Sequence, residues 1–485
     1  MPKVGFVSLG CPKNLVDTEV MMGLLAREGH ELTPRADQAE ILVVNTCSFI
    51  DPAKKESIEA ILEMAELKKF GAARKLIVAG CLVERYGHEI RKEIPEVDAV
   101  IGINEVERIV SVCRETPQAG PEAWPAPAPA PVPVPYLYHE GTPRVLATPR
   151  HYAYIKITEG CDHPCSFCII PQLRGHFRSR RFESVVAEAQ RLFRQGVREI
   201  NLIGQDTTWY GEDLGIKDGL PLLLERLAQL PEAGWIRFLY CYPNRVTGRL
   251  LDTVAAWPAL VKYLDIPLQH ASHTVLKRMR RGQNADQFLR LLERIRRTIP
   301  GVGLRTSMIV GFPGETDADF RQLCQFVEAA QFDRLGVFAY SDQDNSASYH
   351  LDGKVDGRTI HARHRRLMAI QKKISLRKNR QAVGSTLDVL LEGPAQETEL
   401  LWEGRLATQA PEIDGRVLVN DVAHGYDSGE PPVAGSFVRV QMTAALEYDL
   451  IGRVVAAGPS RPVPQASGGP NLVRISNSTG RAAYR

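Results

Sequence analysis

A chain of 485 residues, 44% hydrophobic and 24% charged, is long enough to bury more than one core, so two or three domains are expected. The formal net charge of +3 selects no partner class, no run is long and apolar enough to span a bilayer, and the opening MPKVGFVSLG lacks the apolar core of a signal peptide. A cytoplasmic protein without membrane contact is the expectation, and in that reducing compartment nine cysteines are better explained by metal chemistry than by disulfides.

The first hundred or so residues alternate apolar runs with a helical pattern, in the order VGFVSLGC, NLVDTEVMMGLLAREG, ILVVNTC, KLIVAGC and AVIGI. This order predicts a doubly wound parallel α/β domain over 2–116. Three of the runs end in Cys11, Cys47 and Cys81. Ligands of open parallel sheets bind beyond the carboxyl ends of the strands, so the three thiols would converge on one crevice. Any one of them alone reads as a small buried hydrophobe; together they read as a three-cysteine metal site.

Residues 117–146 are expected to separate two globular units. Their PQAGPEAWPAPAPAPVPVP cannot form a helix interior or a sheet ladder and should extend as polyproline II. Such a run can also be a ligand for aromatic-grooved modules. Cys113, just before it, has no assigned chemistry.

From 147 to 378 a strand–helix alternation resumes, with strand candidates YAYIKI, EINLIG, WIRFLY, YLDIPL, LRTSMIVG and LGVFAY. Six such units predict a partial parallel (β/α) barrel, whose chemistry collects at the C-terminal strand ends. Directly after the first strand comes TEGCDHPCSFCIIP, which sets Cys161, Cys165 and Cys168 in a CxxxCxxC triplet with Phe167 before the last cysteine. Three thiolates on one short loop can hold three irons of a 4Fe–4S cube and leave the fourth open to a small chelating molecule. The alternative is a zinc site, which wants a fourth ligand; His163 and His176 are nearby. Other strand ends carry Gln205 and Asp206, Tyr242 and Asn244, Gln269 and His270, and the turn Gly311 to Glu315, all candidates to hold substrate or cosubstrate. Cys241 and Cys324 read as packing residues.

A basic helix follows, RTIHARHRRLMAIQKKISLRKNR, with Ile360, Leu367, Ile370 and Ile374 on one face and its charges read as a solvated surface. Short strands over 379–457 predict a small all-β barrel, and 458–485 reads as a flexible tail. Residues 386–455 hold twelve acidic side chains against four arginines, a net charge of about −8. Such a surface repels RNA and attracts a basic protein; among expected contacts, Glu397, Glu399, Asp414 and Asp427 are taken as exposed.

With these residues in order, the chain resembles the methylthiotransferase family of radical S-adenosylmethionine enzymes along nearly its whole length. The family's three parts are a three-cysteine N-terminal domain, a radical core with CxxxCxxC, and a C-terminal TRAM barrel. The segments SLGCPKNLVDTE and PRHYAYIKITEGCDHPCSFCIIPQLRGHFRSR look most like the RimO branch, which modifies small-subunit ribosomal protein S-twelve. The sister MiaB branch modifies an isopentenylated adenosine of tRNA. The resemblance implies two 4Fe–4S clusters and S-adenosylmethionine, with Cys161, Cys165 and Cys168 on the radical cluster and Cys11, Cys47 and Cys81 on the auxiliary one. The family's Gly-Gly-Glu element is replaced here by Ile203-Gly204-Gln205-Asp206, which leaves Gln205 as the candidate contact to S-adenosylmethionine. No acid or base is implied. The implied reaction replaces H by SCH3 on the β-carbon of an aspartate. That carbon offers no acidic proton to a base, which is why radical chemistry is required. A monomer acting on the ribosomal protein, free or in assembling ribosomes, is expected; the electron and sulfur donors stay open.

Overall fold

The computed structural model describes residues 2–115, 136–395, 397–422, 433–458 and 473–476. The proline-rich 117–135 and most of 458–485, expected as linker and tail, lie outside the described residues.

The N-terminal domain is built on parallel strands Lys3–Leu9, Ile41–Thr46, Lys75–Gly80 and Ala99–Ile101, adjacent in that order. Alternate residues of the first strand face opposite layers, as the two-residue period of a strand requires. Val4 and Phe6 pack on helix Pro12–Arg27, whereas Val7 and Leu9 pack towards helix Asp51–Phe70 with Ile61, Met64 and Ala65. The domain is therefore doubly wound, as the alternation predicts.

Two short strands pair with the free edge of Lys3–Leu9: Glu31–Thr33 along its first half and Val473–Ser476 along its second. The latter corrects the expectation of a tail over 458–485. Its VRIS has the period-2 alternation of a strand, and backbone hydrogen bonds to an open edge are enough to hold four residues. The expected linker is likewise too long at its C-terminal end. Arg144 lies buried between Glu19 at 2.5 Å and Glu188 at 2.8 Å, and so ties 136–147 to both domains.

Helix Pro12–Arg27 is buried from Lys13 to Leu25 because the second domain covers its polar face. That domain has six parallel strands, Tyr152–Lys156, Glu199–Ile203, Trp235–Phe238, Tyr263–Asp265, Gly303–Val310 and Arg334–Ala339. They form two three-stranded sets. The sets meet through the bridge Ile236–Leu260 and the Cys241 amide, which donates to the Asp265 carbonyl at 2.8 Å. All six match the expected runs, and the apolar core lies between them and an outer layer of helices. The basic helix Gly357–Ala382 closes that layer through Leu367 and Ile374, and Gln371 Nε2 donates to the Phe332 carbonyl at 2.9 Å. Strands Thr386–Ala395, Thr398–Leu406, Val417–Val422, Phe437–Ala445 and Leu450–Ala457 then close a separate small barrel. Among the described residues no helix is long and apolar enough to cross a membrane.

Candidate active site

The two cysteine triplets, from different domains, line one cavity of about 360 Å³ at the C-terminal strand ends. Local backbone geometry puts them there. Cys11 caps helix Pro12–Arg27 and Cys81 opens helix Cys81–Glu93, so both thiols sit where unpaired amides and the helix dipole favour negative charge. Gly10, at φ +89°, has space for no side chain: a Cβ there would lie 2.6 Å from Cys47 Cβ. Gly160, at φ +77°, would place a Cβ 2.0 Å from the His176 carbonyl oxygen, and its neighbour is Cys161. The loops are pinned by Asn14, whose Nδ2 donates to the carbonyls of Leu9 at 2.8 Å and Thr46 at 3.2 Å. Ser57 holds both backbone groups of Cys47.

Burial pushes the Cys81 thiol up to about 11, against the pull of Arg174, and Cys161 also to about 11. Cys168 rises to about 12, and Cys47 rises further, through burial first and then through neighbouring Cys81 and Cys11. A cation must displace the protons of such thiols to bind. His163 Nε2 is engaged with Asp206 at 2.7 Å and its ring stacks on Tyr242 at 3.8 Å, whereas His176 pairs with Asp162 in solvent. Neither histidine thus stands free as the fourth ligand that tetrahedral zinc needs.

Each triplet has its own guanidinium. Arg281 Nη1 lies 3.6 Å from Cys165 Sγ, and Arg174 Nη2 lies 3.7 Å from Cys81 Sγ. Arg174 is fixed by Glu159 at 2.9 Å and Asp17 at 3.3 Å, and Lys156 also pairs with both carboxylates. Burial would raise the Glu159 pKa, but Arg174 and Lys156 outweigh it and hold the carboxyl well below its usual range. This buried network crosses between the domains and ends at Gln205, whose Nε2 donates to Glu159 Oε1 at 2.7 Å. Gln205 lines the cavity, and its Oε1 is buried with no hydrogen-bond partner. Of the other rim candidates, Tyr242 and Gln269 line the cavity, whereas Asp206 serves His163 and His270 faces Glu315 at 3.8 Å. Cys241, read as packing, is buried and lines the cavity as well.

Sequence reasoning passed over Lys13, Tyr240, Arg174, Arg281 and Arg305, which all line the cavity. Lys13 Nζ sits 3.7 Å above the Tyr240 ring. Tyr240 and Gln269 have φ of +66° and +74°, conformations costly for side chains of this size and concentrated at functional sites. A strap at the mouth, with Ser341 and Gln343, is gripped from three sides. Asp51 Oδ1 accepts from Gln343, Arg85 pairs with Asp344, and Gln172 donates to the Asn345 carbonyl at 2.6 Å. These three anchors stand four residues after Cys47, Cys81 and Cys168, a spacing that could have flagged them.

A partial parallel barrel with this cysteine loop after its first strand defines the radical S-adenosylmethionine class, and residues 155–327 match that superfamily. Residues 3–102 match the uncharacterized protein family UPF0004, and 383–455 match the TRAM domain. The fold resembles the radical S-adenosylmethionine methyltransferase TsrM from Kitasatospora setae, with a TM-score of 0.50 and 17% identity over 70% of this chain and 73% of that one. Over 475 residues, 98% of each chain, the sequence is 65% identical to the ribosomal protein uS12 methylthiotransferase RimO of Solibacter usitatus. The relative of that name in Koribacter versatilis is 57% identical over 93% of this chain and 96% of its own, and the one in Myxococcus xanthus 46% over 95% and 92%. The chain belongs to the RimO family of methylthiotransferases.

Proposed function

We propose that this protein replaces a hydrogen on the β-carbon of an aspartate in ribosomal protein uS12 with a methylthio group. The observation that carries the reading is the convergence of both cysteine triplets on one cavity. Cys161, Cys165 and Cys168 would hold one 4Fe–4S cluster, and Cys11, Cys47 and Cys81 the other. When bound, these groups supply the electron that cleaves S-adenosylmethionine and an iron that carries sulfur.

The chain's own residues set the surroundings. Arg281 and Arg174 direct N–H groups at one sulfur of each set, and Arg174 opposes the burial that disfavours the Cys81 thiolate. Gln205 Oε1 is available to accept from the ammonium of S-adenosylmethionine. Phe49, Ile50, Leu173, Ile309 and Phe338 make the apolar wall that keeps water from a reactive carbon. S-adenosylmethionine bound beside Gln205 would supply both the hydrogen-abstracting radical and, from a second molecule, the methyl group. The relatives described above carry the protein-modifying name, not the tRNA-modifying one, and the acidic C-terminal barrel suits a basic protein substrate.

Anaerobic reconstitution followed by iron analysis and mass spectrometry tests this. Replacing Cys161, Cys165 and Cys168 by Ala should remove about half the iron and abolish cleavage of S-adenosylmethionine. Replacing Cys11, Cys47 and Cys81 should leave some 5′-deoxyadenosine formation but no methylthiolation. Ribosomal proteins from cells lacking this chain should lose one SCH3-for-H substitution on uS12. Iron for a single cluster in the unmodified chain, or full methylthiolation by the second variant, would overturn the proposal.

A further inference from the structure

A six-stranded partial barrel leaves its bore open, and the small C-terminal barrel fills it. The filling is residues 405–414. Arg405, 2% exposed, donates from Nη2 to Glu199 Oε2 at 2.6 Å, from Nε to Glu392 at 2.7 Å and from Nη1 to the Gln409 carbonyl at 2.9 Å. Glu412 accepts from the Tyr152 hydroxyl at 2.7 Å. Asp414 Oδ2 accepts from the Tyr263 hydroxyl at 2.7 Å and from the Ala410 amide at 2.9 Å. Tyr152, Glu199 and Tyr263 are the first residues of three barrel strands, so the segment enters from the end opposite the cysteine loops. Gln409 and Ala410 are wholly buried. Between the two clamped carboxylates, Ile413 reaches the cavity that all six cysteines line. Glu412 is held at φ +67°, a conformation that costs about 1 kcal/mol or more outside glycine and that the tyrosine hydroxyls offset.

We infer that Ile413 is the floor of the reaction cavity, a positioning residue supplied by the C-terminal barrel that sets how deeply substrate and S-adenosylmethionine seat. The inference rests on the reading of that cavity as the reaction site. The interior around it is polar: Arg305 lines the same cavity, pairs with Asp265 at 2.8 Å and faces Asp414 at 3.7 Å. The Ile413 side chain presents only carbon to the cavity, while the charges beside it are directed at one another, Arg305 at Asp265 and Asp414. It also stops a bound molecule from sliding down the bore towards Glu412 and Asp414. Radical transfer needs near-contact between the reacting atoms, so a floor that is displaced costs coupling before it costs binding.

The test uses the full-length reconstituted protein and three variants. Ile413→Ala deepens the floor, Ile413→Trp raises it, and Ile413→Val is the conservative control. Iron content and melting temperature report folding. For Ile413→Ala, the ratio of 5′-deoxyadenosine to methylthiolated uS12 should rise on the order of tenfold or more. For Ile413→Trp, equilibrium affinity for S-adenosylmethionine or uS12 should fall about tenfold or more, and Ile413→Val should stay near the unmodified chain. Amides of 409–414 should gain protection from hydrogen exchange when S-adenosylmethionine and uS12 bind. If Ile413→Trp does not fold, the Ala and Val variants and hydrogen exchange decide. Unchanged coupling and affinity in every folded variant, with unchanged exchange at 409–414, would overturn the inference while uS12 is still modified. An unmodified chain that cleaves S-adenosylmethionine but never modifies uS12 would instead overturn the functional reading, and affinity and exchange would still judge the floor.

Discussion

Single residues in this site are placed by backbone conformation as much as by side-chain chemistry. Gly10 has the left-handed φ that L side chains resist, and it also faces Cys47 at a distance no real Cβ tolerates. Gly10→Ala therefore combines about 1–2 kcal/mol of backbone cost with a clash that must push Cys47 away from Cys11. Gly215→Ala is the control, because Gly215 has a similar φ of +71° and nothing within 4 Å. The expected outcome is loss of about half the reconstituted iron in Gly10→Ala, with cleavage of S-adenosylmethionine retained, and full iron in Gly215→Ala. Equal iron in the two variants would show that the close approach is not needed. The cysteines were legible in the sequence because their signal is local: a fixed spacing after an apolar strand. Lys13, Arg174 and Arg281 were not, because a cation becomes a site residue only once distant strands bring it to the sulfurs.

At the scale of elements, strand order could be read from the chain and the joins could not. Each strand announces itself by a run of apolar residues, and the rule that chemistry gathers at strand ends then locates the cavity. Nothing in the pattern of residues 405–414 says that they enter a neighbouring barrel, since buried ion pairs have no periodicity. Arg405 is the centre of that join. Burial works against the Glu392 carboxylate, but Arg405 and then His151 hold its pKa at about 2, and Arg405 first and Arg237 next keep that of buried Glu199 low. A carboxyl whose pKa is depressed in the folded state adds stability above its unfolded value, near 4.5, and loses it as pH falls. Arg405→Ala should therefore cost about 3–5 kcal/mol at neutral pH, by removing the main partner of both Glu199 and Glu392 and leaving them to Arg237 and His151 alone. The gap to the unmodified chain should narrow as pH drops from about 4.5 towards 2, where both carboxyls can take up protons instead. Denaturant titrations at several pH values measure it, and a gap independent of pH would rule out this account.

Over the whole molecule the charge is nearly balanced, yet its distribution is not, and the structure changes which charges matter. The −8 of residues 386–455 suggests an acidic outer surface. Part of it turns inward: Glu392 and Glu412 are bound to Arg405 and Tyr152, and Asp414, expected to be exposed, has a side chain with no solvent contact. Asp427 and the Glu399 side chain lie outside the described residues. Asp388, Glu397 and Asp421 remain exposed, with Glu397 paired to Arg416 and Asp388 lying 3.9 Å from Arg439. If these carboxylates steer a basic ribosomal protein, changing all three to Lys should weaken its binding about tenfold at low salt, mainly through the association rate. The difference should shrink once salt shortens the screening length to a few ångströms, on the order of 3 Å at 1 M. The same variant should bind tRNA no more weakly, because added lysines favour phosphate contacts. Cleavage of S-adenosylmethionine without substrate should be unaffected, since none of the three lines the cavity. A salt titration of affinity for uS12, run beside one for tRNA, separates the outcomes. Equal salt slopes for the two proteins would place the docking surface elsewhere, and tight binding of the unmodified chain to tRNA with none to uS12 would reverse the assignment of substrate.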